Sequence, residues 1–336
     1  MTGDATGRPL PVGKVPPDVL DALVYRHLGA RRADVLVHAS FGEDCAVVDF
    51  GGGLAAVTTD PITGAGLDLG WYAILVGTND LAAAGAEPVA VVLTILLSPA
   101  RAAADLARIM RDAGAAAASL GVEIAGGHSE VVGGLTRTIV VVTALGRVMR
   151  DRLLRSGAAQ SGDVLLLTKA AGVEGTALLA DLRRADLTGA LGEAGVSRAR
   201  AFRERLSVLP EARAAAAAGA HAMHDVTEGG VLGAVYELAA ASGLGVLLDA
   251  DRVPVLPETR AICDALGADP LALIGSGALL VATPQPDRTA AAIADAGVPA
   301  TVIATLGPGD RRVRRAGREG PLVPPERDEL WRVLRQ

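Results

Sequence analysis

Residues 70–97 read GWYAILVGTNDLAAAGAEPVAVVLTILL, and this stretch predicts a buried helix followed by a buried strand. The helical part begins near Gly70 and runs to Ala86, with apolar residues on every side, so we expect it to be buried all round. Pro88 prevents its continuation. The β-branched and leucine run Val89–Leu97 fits a buried strand. Strands mixed with helices in this way are typical of an α/β or α+β protein.

The rest of the first half alternates in the same manner. Two short apolar strands, Ala46–Phe50 and Leu54–Thr59, are separated by three glycines at 51–53, which predicts a hairpin. Ser98 and Pro99 supply an N-cap and an N1 proline for a helix that runs to about residue 120. Two further strands are predicted in this half, at Val122–Ala125 and Thr138–Leu145.

The composition turns polar and basic between Arg147 and Asp163, and we expect a domain boundary there. Because domains usually hold about 100 to 200 residues, a chain of 336 residues predicts two, at 1–150 and 151–336. The second half again mixes both kinds of element, so the expected fold class is α/β (α+β) throughout. The expected elements there are strands Val164–Thr168, Val246–Leu248 and Ala278–Ala282, and helices from Thr176, at Pro210–Ala218 and at Val231–Ala241.

The composition excludes several classes of protein. Half of the residues are hydrophobic and 21% are charged, which rules out disordered, collagen-like and disulfide-scaffold chains. A net charge of −6 and an aromatic content of 2% argue against nucleic acid as a partner. No segment has the pattern of a signal peptide or a membrane span, so we expect a cytoplasmic protein without a membrane partner. Neither lysine, Lys14 or Lys169, lies in a Walker phosphate loop.

Asp80 is the most informative polar residue, because it lies on the helix that is expected to be buried all round. A buried carboxylate is costly unless a cation, a metal or several donors compensate it. Asn79 adds a second polar group beside it. The alternative is that Asp80 caps a neighbouring loop.

Two more aspartates have comparable positions, and a third, Asp225, is available to a metal beside a predicted helix. Asp44 comes just ahead of the first strand of the predicted hairpin and Asp60 just after the second, so both lie at one end of it. Asp225 precedes a predicted helix, whereas Asp49 is expected to face outward from its strand. Carboxylates without cysteine or clustered histidine favour a hard cation, and magnesium with a phosphorylated ligand is the usual case. Alternatively, such aspartates are turn residues.

Two further segments are candidate phosphate contacts. Gly126, Gly127, His128 and Ser129 follow a predicted strand, where glycines let backbone amides approach a phosphate and a hydroxyl can donate to it. His128 is equally well explained as a hydrogen-bonded loop histidine.

The second segment, 224–230, leads into a helix with Thr227 near its N-cap, which predicts an anion site there. His221 and His224 lack a third ligand with zinc-site spacing. Both cysteines, Cys45 and Cys263, are interpreted as structural. In the loops 172–175 and 275–277, the glycines either let the backbone come close to a substrate or simply form turns.

Taken in order, five motifs resemble those of the aminoimidazole ribonucleotide (AIR) synthetase superfamily, from about Phe41 to Gly307. This superfamily includes AIR synthetase, formylglycinamidine ribonucleotide synthetase, selenophosphate synthetase, thiamine-monophosphate kinase and the hydrogenase-maturation dehydratase. The matching motifs are Gly42-Glu43-Asp44-Cys45-Ala46-Val47, Thr58-Thr59-Asp60, residues 79–88, Gly126-Gly127-His128-Ser129 and Asp225-Val226-Thr227-Glu228-Gly229-Gly230.

The resemblance implies a two-domain subunit that dimerises through its N-terminal sheets into a shared barrel and holds ATP between its domains. It implies ATP and Mg²⁺ as cofactors, because members use ATP to phosphorylate an amide-type oxygen, a phosphate or selenide. The positions that match the magnesium-binding aspartates of the family are Asp44, Asp60, Asp80 and Asp225. The positions that match its nucleotide and phosphate contacts are Asn79, Gly126, Gly127, His128 and Ser129.

Within the superfamily, the motif at Asp225 and the residues Gly162-Asp163-Val164 look closest to the hydrogenase-maturation protein, while Gly127-His128-Ser129 is similar to selenophosphate synthetase. Residues 330–336 contain no cysteine to carry a thiocarbamate, so cyanide formation on the chain's own tail is not expected. The expected function is magnesium-dependent activation of an oxygen of a small substrate by phosphoryl transfer from ATP. Two alternatives stay open, a small-molecule kinase like thiamine-monophosphate kinase and a non-catalytic nucleotide-binding factor with a maturation partner protein.

Overall fold

The first half of the chain folds around a six-stranded sheet with the order β1-β2-β3-β6-β4-β5. The computed structural model describes residues 14–25, 28, 30–64, 66, 68–99 and 102–335. The strands of this sheet are β1 (Val35–Val37), β2 (Ala46–Asp49), β3 (Leu54–Ile62), β4 (Glu87–Leu97), β5 (Glu123–Val131) and β6 (Ile139–Val148). The helices are α1 (Pro17–Leu23), α2 (Leu69–Ala83) and α3 (Ala102–Leu120).

The second half folds around a seven-stranded sheet with the order β13-β12-β9-β11-β7-β10-β8. Its strands are β7 (Val164–Thr168), β8 (Ala222–Asp225), β9 (Gly245–Asp249), β10 (Leu279–Thr283), β11 (Ala300–Gly307), β12 (Arg311–Arg315) and β13 (Arg318–Pro321). Its helices are α4 (Val173–Leu182), α5 (Arg184–Arg200), α6 (Leu209–Ala218), α7 (Gly230–Ala241), α8 (Pro257–Leu266), α9 (Pro286–Asp295) and α10 (Glu329–Leu334). A mixed α/β protein with two sheets is therefore confirmed.

Helix α2 is buried on all sides, as the sequence predicts. Every residue of the helix except Trp71 is buried, because α3, β3 and β6 contact it from one half and β8 and α6 from the other. The helix ends three residues before the expected position. Gly85 adopts a left-handed φ of 70°, and the amide of Ala86 donates to the carbonyl of Leu81 at 2.8 Å, a common helix-ending pattern.

Strand β5 differs from its prediction. The sequence predicts a short strand at Val122–Ala125 followed by a glycine loop, whereas the strand continues through Gly126–Ser129 to Val131. The reason is long-range pairing: β4 offers a parallel ladder in which Thr94 lies opposite His128. Two glycines that favour a loop locally are held extended by this neighbour.

The six-stranded sheet is covered unequally on its two faces. Helices α2 and α3 pack on the face that carries the buried residues of the sheet. The opposite face, the open face, carries apolar side chains that are half-buried or exposed in the single chain. These are Val57, Val92, Leu96, Val141 and Leu145.

The two halves share one hydrophobic core. Tyr72 and Leu75 of α2 belong to the same buried cluster as Leu178 of α4 and Phe202. The domain boundary expected between residues 147 and 163 stays a prediction, although no strand or α-helix is found between β6 and β7. No helix within the described residues is long and apolar enough to cross a membrane.

Candidate active site

A cavity of about 690 Å³ lies between the two halves of the chain. Its walls come from the loop ahead of β2, the C-terminal part of β3, the last turns of α2 and the first turn of α4. The segment that joins β8 to α7, the start of α10, the start of β6, the loop ahead of β10 and Lys14 complete the lining. Because elements of both sheets contribute, the cavity forms where the two halves pack together.

Four aspartates from four different elements line this cavity. Asp44 lies ahead of β2, Asp60 lies in β3, Asp80 lies on α2 and Asp225 ends β8. Antiparallel pairing of β2 with β3 brings the first two to the same end of the hairpin. The structure thus brings together the four carboxylates that the sequence singles out, and their binding of a metal stays a prediction.

The carboxylates of this cluster are poorly compensated. Asp80 is 8% exposed and accepts a hydrogen bond from Thr58. Burial, and after it the charges of Asp60, Asp225 and Asp44, raise the pKa of Asp80 well above its usual range. One carboxylate oxygen of Asp60 and one of Asp225 are buried without a hydrogen-bond partner in the described part of the chain. A bound cation would relieve both the repulsion and the missing contacts.

The donors fit a hard cation such as Mg²⁺, because they are carboxylate oxygens without a thiolate among them. Among the residues that the structure describes, no three acidic, histidine or cysteine side chains already converge as a closed metal centre. Magnesium usually takes one or two carboxylates and completes its octahedron with phosphate oxygens and water. The cavity therefore suits an ion that arrives with a phosphorylated ligand better than a structural ion.

His224 connects Asp44 to Glu237 across the cavity wall. The Nδ1 atom of His224 lies 2.7 Å from Oδ1 of Asp44, and its Nε2 lies 3.1 Å from Oε2 of Glu237. Ser156 donates to the other carboxylate oxygen of Asp44 at 3.1 Å. Burial lowers the pKa of His224, but the two carboxylates outweigh it and hold that pKa well above its usual range. An imidazolium therefore fixes the orientation of the Asp44 carboxylate.

Within the described part of the chain, the histidines and cysteines do not form a soft-metal site. The Nδ1 atom of His221 lies 3.0 Å from the carboxylate of Asp163, whereas both ring nitrogens of His224 are already hydrogen-bonded. Cys45 and Cys263 are free and buried. Burial raises the pKa of the Cys45 thiol well above its usual range, which disfavours the reactive thiolate.

Lys14 is a cavity residue that the sequence reasoning missed. Its Nζ lies 3.1 Å from Oγ1 of Thr227 and 3.4 Å from Oε1 of Glu237. An ammonium group on the wall of an acidic cavity is suited to hold a phosphate. The only signal in the sequence is its rarity, since Lys14 is one of two lysines in the chain.

Thr227 lines the cavity but is not the helix cap that the sequence predicts. Helix α7 begins at Gly230, and its N-cap is Gly229 in a left-handed conformation without a side-chain cap. The Thr227 hydroxyl instead accepts the hydrogen bond from Lys14. The sequence thus predicts Thr227 as a residue of the binding site but does not predict its hydrogen-bond partner, Lys14, which is distant in the chain.

Asn79 is placed differently from its prediction as a nucleotide contact. Its Nδ2 donates to the carbonyl of Leu206 at 2.8 Å, and its Oδ1 accepts from the amide of Val208 at 3.0 Å. The residue is fully buried and does not line the cavity. Asn79 therefore ties α2 to the segment ahead of α6, and the polar neighbour of Asp80 has a packing role.

Gly126–Ser129 also lie away from the carboxylates. Asp60 pairs with Val142, Val142 with Leu93 and Leu93 with Gly127. Three strand spacings put Gly127 about 14 Å from Asp60. By strand alternation, His128 lies on the open face, opposite to α2. In the single chain this segment is an exposed edge strand, so it cannot contact the same phosphate as Asp60.

Comparison with known proteins identifies both halves of the chain. Residues 42–148 match the family described as AIR synthase related protein, N-terminal domain, and residues 160–316 match its C-terminal domain. The carbamoyl dehydratase HypE of Rhodobacter capsulatus is 32% identical over 71% of this chain and 70% of its own length. The thiamine-monophosphate kinase of Methanospirillum hungatei is 31% identical over 70% of this chain and 76% of its own length.

Solved structures share the fold at lower identity. A hydrogenase maturation protein HypE in complex with ATP has a TM-score of 0.72 at 22% identity, covering 96% of this chain and 98% of its own. AaThiL in complex with AMPPCP and TMP has a TM-score of 0.65 at 20% identity, covering 89% and 93%. The HypE-HypF complex contains a chain with a TM-score of 0.70 at 21% identity, covering 84% and 93%.

Proposed function

The chain belongs to the AIR synthase-related family, and from this premise we propose that it is a magnesium-dependent enzyme that transfers a phosphoryl group from ATP to an oxygen of a small substrate. The observation that carries the proposal is the convergence of Asp44, Asp60, Asp80 and Asp225 on one cavity. Carboxylates from four elements, with unpaired oxygens on two of them, suit a metal-bound triphosphate.

The residues of the cavity divide the work of phosphoryl transfer. Carboxylates from among the four aspartates would hold Mg²⁺, which neutralises developing charge on the phosphate oxygens when bound. Lys14 contacts Thr227 and can turn its ammonium toward a phosphate, while the Thr227 hydroxyl can donate to one. His224 holds Asp44 in place. Positioning of this kind supplies most of the catalysis in phosphoryl transfer, so a dedicated general base is not required.

The relatives support ATP as the phosphoryl donor. HypE has been solved with ATP and AaThiL with AMPPCP. A second cavity of about 950 Å³ shares Lys14, Asp44 and His224 with the first. Its walls include Pro16, Leu20 and Phe41, and this more apolar lining suits the nucleoside part of the nucleotide.

A small-molecule kinase is the second candidate. The identity of 31% to a thiamine-monophosphate kinase favours it. So does the burial of Cys45 and Cys263, since neither offers an accessible thiol for a covalently attached substrate. A free small acceptor therefore fits the chain better than a group carried on one of these two thiols.

The proposal includes a homodimer formed through the open face. In the single chain this face leaves Leu145 36% exposed and Val57, Val92, Leu96 and Val141 half-buried. Strand β5 also leaves one edge unpaired within its sheet. Covering such a face with a second copy buries apolar area and protects the edge. The HypE-HypF complex is a precedent for a partner protein of a different kind.

Calorimetric titration of the protein with ATP, with and without magnesium, tests the proposal. We expect wild-type protein to bind ATP only when magnesium is present and Asp80→Asn to weaken that binding at least tenfold. Asp49→Asn is a matched control, because Asp49 pairs with Arg150 and does not line the cavity. Release of ADP on adding acceptors distinguishes an enzyme from a non-catalytic nucleotide-binding factor. Equal affinity of all three proteins would overturn the proposal.

A further inference from the structure

A second polar group lines the same cavity where α4 meets the glycine loop ahead of β10. Glu174 lies in the first turn of α4, and Ser276 lies in that loop. The two elements are in direct contact, since the amide of Gly175 donates to the carbonyl of Ile274 at 2.9 Å. A Cβ on Gly175 would lie 2.3 Å from Cγ of Leu273. The glycine therefore allows the approach that sets Glu174 beside Ser276.

Both side chains are buried, and each keeps one polar atom without a close hydrogen-bond partner in the part of the chain that the structure describes. Glu174 is 7% exposed and Ser276 is 1% exposed. Oε2 of Glu174 and Oγ of Ser276 make no hydrogen bond within the described residues. Burial raises the pKa of Glu174 to about 7, although the adjacent side chain and amide of Ser276 act in the opposite direction. Unpaired buried polar atoms are rare in folded proteins, and those that line a cavity indicate contacts completed by a ligand.

The wall around this pair is apolar and rigid. Leu178, Ile274, Leu330 and Trp331 all line the cavity. The indole nitrogen of Trp331 donates to Oε1 of Glu228 at 2.8 Å, which fixes the ring. Aliphatic and aromatic walls of this kind accommodate a small apolar body, and an indole ring attracts a cation.

The charge of the cavity lining determines which charge a ligand group beside Glu174 can carry. Besides the four aspartates, Glu43, Glu174 and Glu228 line it, and among the described residues these seven acidic side chains outnumber the one lysine and one arginine of the lining, Lys14 and Arg137. Bound magnesium would compensate the aspartates but leave Oε2 of Glu174 without a partner among the described residues. An anionic ligand group would be repelled there, whereas a cationic group with several N–H donors would pair the carboxylate and reach the hydroxyl as well.

We propose that Glu174 and Ser276 bind the cationic nitrogen of the acceptor substrate, an ammonium or amidinium group attached to a small apolar body. This inference rests on the proposed function, because it assigns the acceptor to the part of the cavity that the nucleotide leaves open. Glu174 accepts N–H donors from the cation, and the Ser276 oxygen accepts another. The leucines, Ile274 and Trp331 enclose the apolar body.

Three ligands of equal shape and different charge test the proposal. Benzamidine is an amidinium cation, benzamide is neutral and benzoate is an anion. We expect the wild-type protein to bind benzamidine at least tenfold more tightly than benzamide and to show no binding of benzoate in calorimetric titrations. In Glu174→Gln the preference for benzamidine over benzamide should fall below twofold. Glu228→Gln is the matched control, since glutamine still accepts from Trp331 and should keep most of the preference.

Ser276→Ala gives a second, milder test, with an expected loss of about threefold in benzamidine affinity, should Glu174→Gln fail to fold. A wild-type preference for benzamide or benzoate, or an unchanged preference in Glu174→Gln, would overturn the proposal. Magnesium-dependent ATP binding is measured on the same samples and should change less than twofold in Glu174→Gln. Loss of ATP binding in the wild type with a retained benzamidine preference would contradict the proposed function alone.

Discussion

The Nδ1 atom of His224 lies 2.7 Å from Oδ1 of Asp44, and this contact joins the two halves of the chain at the candidate active site. Asp44 belongs to the segment ahead of β2 in the first sheet, and His224 belongs to β8 in the second. The same imidazole reaches Glu237 on α7. The segment ahead of β2, strand β8 and helix α7 are therefore joined by one buried cation.

Replacing His224 with phenylalanine should destabilise the protein by about 3 kcal/mol, because the buried carboxylates of Asp44 and Glu237 then lose their shared cation. Urea denaturation measures this free energy. The double variant with Asp44→Asn should be less destabilised than the sum of the single variants, since one of the stranded charges is removed. Two results would contradict the role of His224 as the shared partner of Asp44 and Glu237. One is strict additivity of the changes in the free energy of unfolding, and the other is a decrease below 1 kcal/mol for His224→Phe.

Replacing Gly175 with alanine should destabilise the protein by about 1–3 kcal/mol, because the new Cβ would lie 2.3 Å from Cγ of Leu273 in a packed contact. Thermal unfolding measures the change. Gly189→Ala in α5 is the matched control, since no atom lies within 4 Å of its Cβ position. This variant should be neutral or slightly more stable. Similar effects of both substitutions would show that the α4 contact is not tight.

Replacing Val141 with aspartate should convert the proposed dimer into a monomer, because a charge would enter the centre of the open face. Size-exclusion chromatography with light scattering measures the mass. Leu182→Asp changes a leucine that is 40% exposed on α4 and should leave the dimer intact. A monomeric wild-type protein at micromolar concentration would rule out this interface.

The pH dependence of stability should differ between the wild type and Glu174→Gln. Burial raises the pKa of Glu174 from 4.5 to about 7, so the folded state keeps a proton that the unfolded state releases between those values. The free energy of unfolding of the wild type therefore falls as the pH rises from 4.5 to about 7. Glu174→Gln cannot titrate at this position, so its free energy of unfolding does not fall for this reason.

Denaturation free energies at about pH 5 and pH 8 measure this difference. Between about pH 5 and pH 8, the free energy of unfolding of the variant should rise relative to that of the wild type by up to about 3 kcal/mol. The titratable groups that face Glu174 are Asp328, Glu228 and Tyr72. These groups are present in both proteins, so their contributions largely cancel in the comparison. A difference that stays constant with pH would contradict the assigned protonation of Glu174.

Much of the fold could be predicted from local patterns. The stretch around Asp80 is apolar on every side, and this pattern predicts the buried helix α2. The glycines at 51–53 predict the turn between β2 and β3, and this hairpin brings Asp44 toward Asp60. These features depend on residues close together in the chain. The path of β5 could not be predicted in this way, because the ladder offered by β4 overrides the local preference of Gly126 and Gly127.

The candidate site was predictable only in part. Aspartates at strand ends and on a buried helix are recognisable, because each contradicts its local apolar pattern. Lys14, Glu174 and Glu237 carry no such local signal, and their roles come from neighbours at least 13 residues away in the chain. Asn79 illustrates the opposite error, since a buried polar residue next to Asp80 serves backbone groups at Leu206 and Val208.

The most direct test is to locate the metal. Crystals grown with Mn²⁺ in place of Mg²⁺ and with the non-hydrolysable nucleotide AMPPCP would reveal the ion by its anomalous scattering. We expect a manganese peak bonded to a carboxylate oxygen of at least one of Asp44, Asp60, Asp80 and Asp225 and to a phosphate oxygen. A nucleotide bound elsewhere, or manganese that contacts none of these four carboxylates, would contradict the assignment.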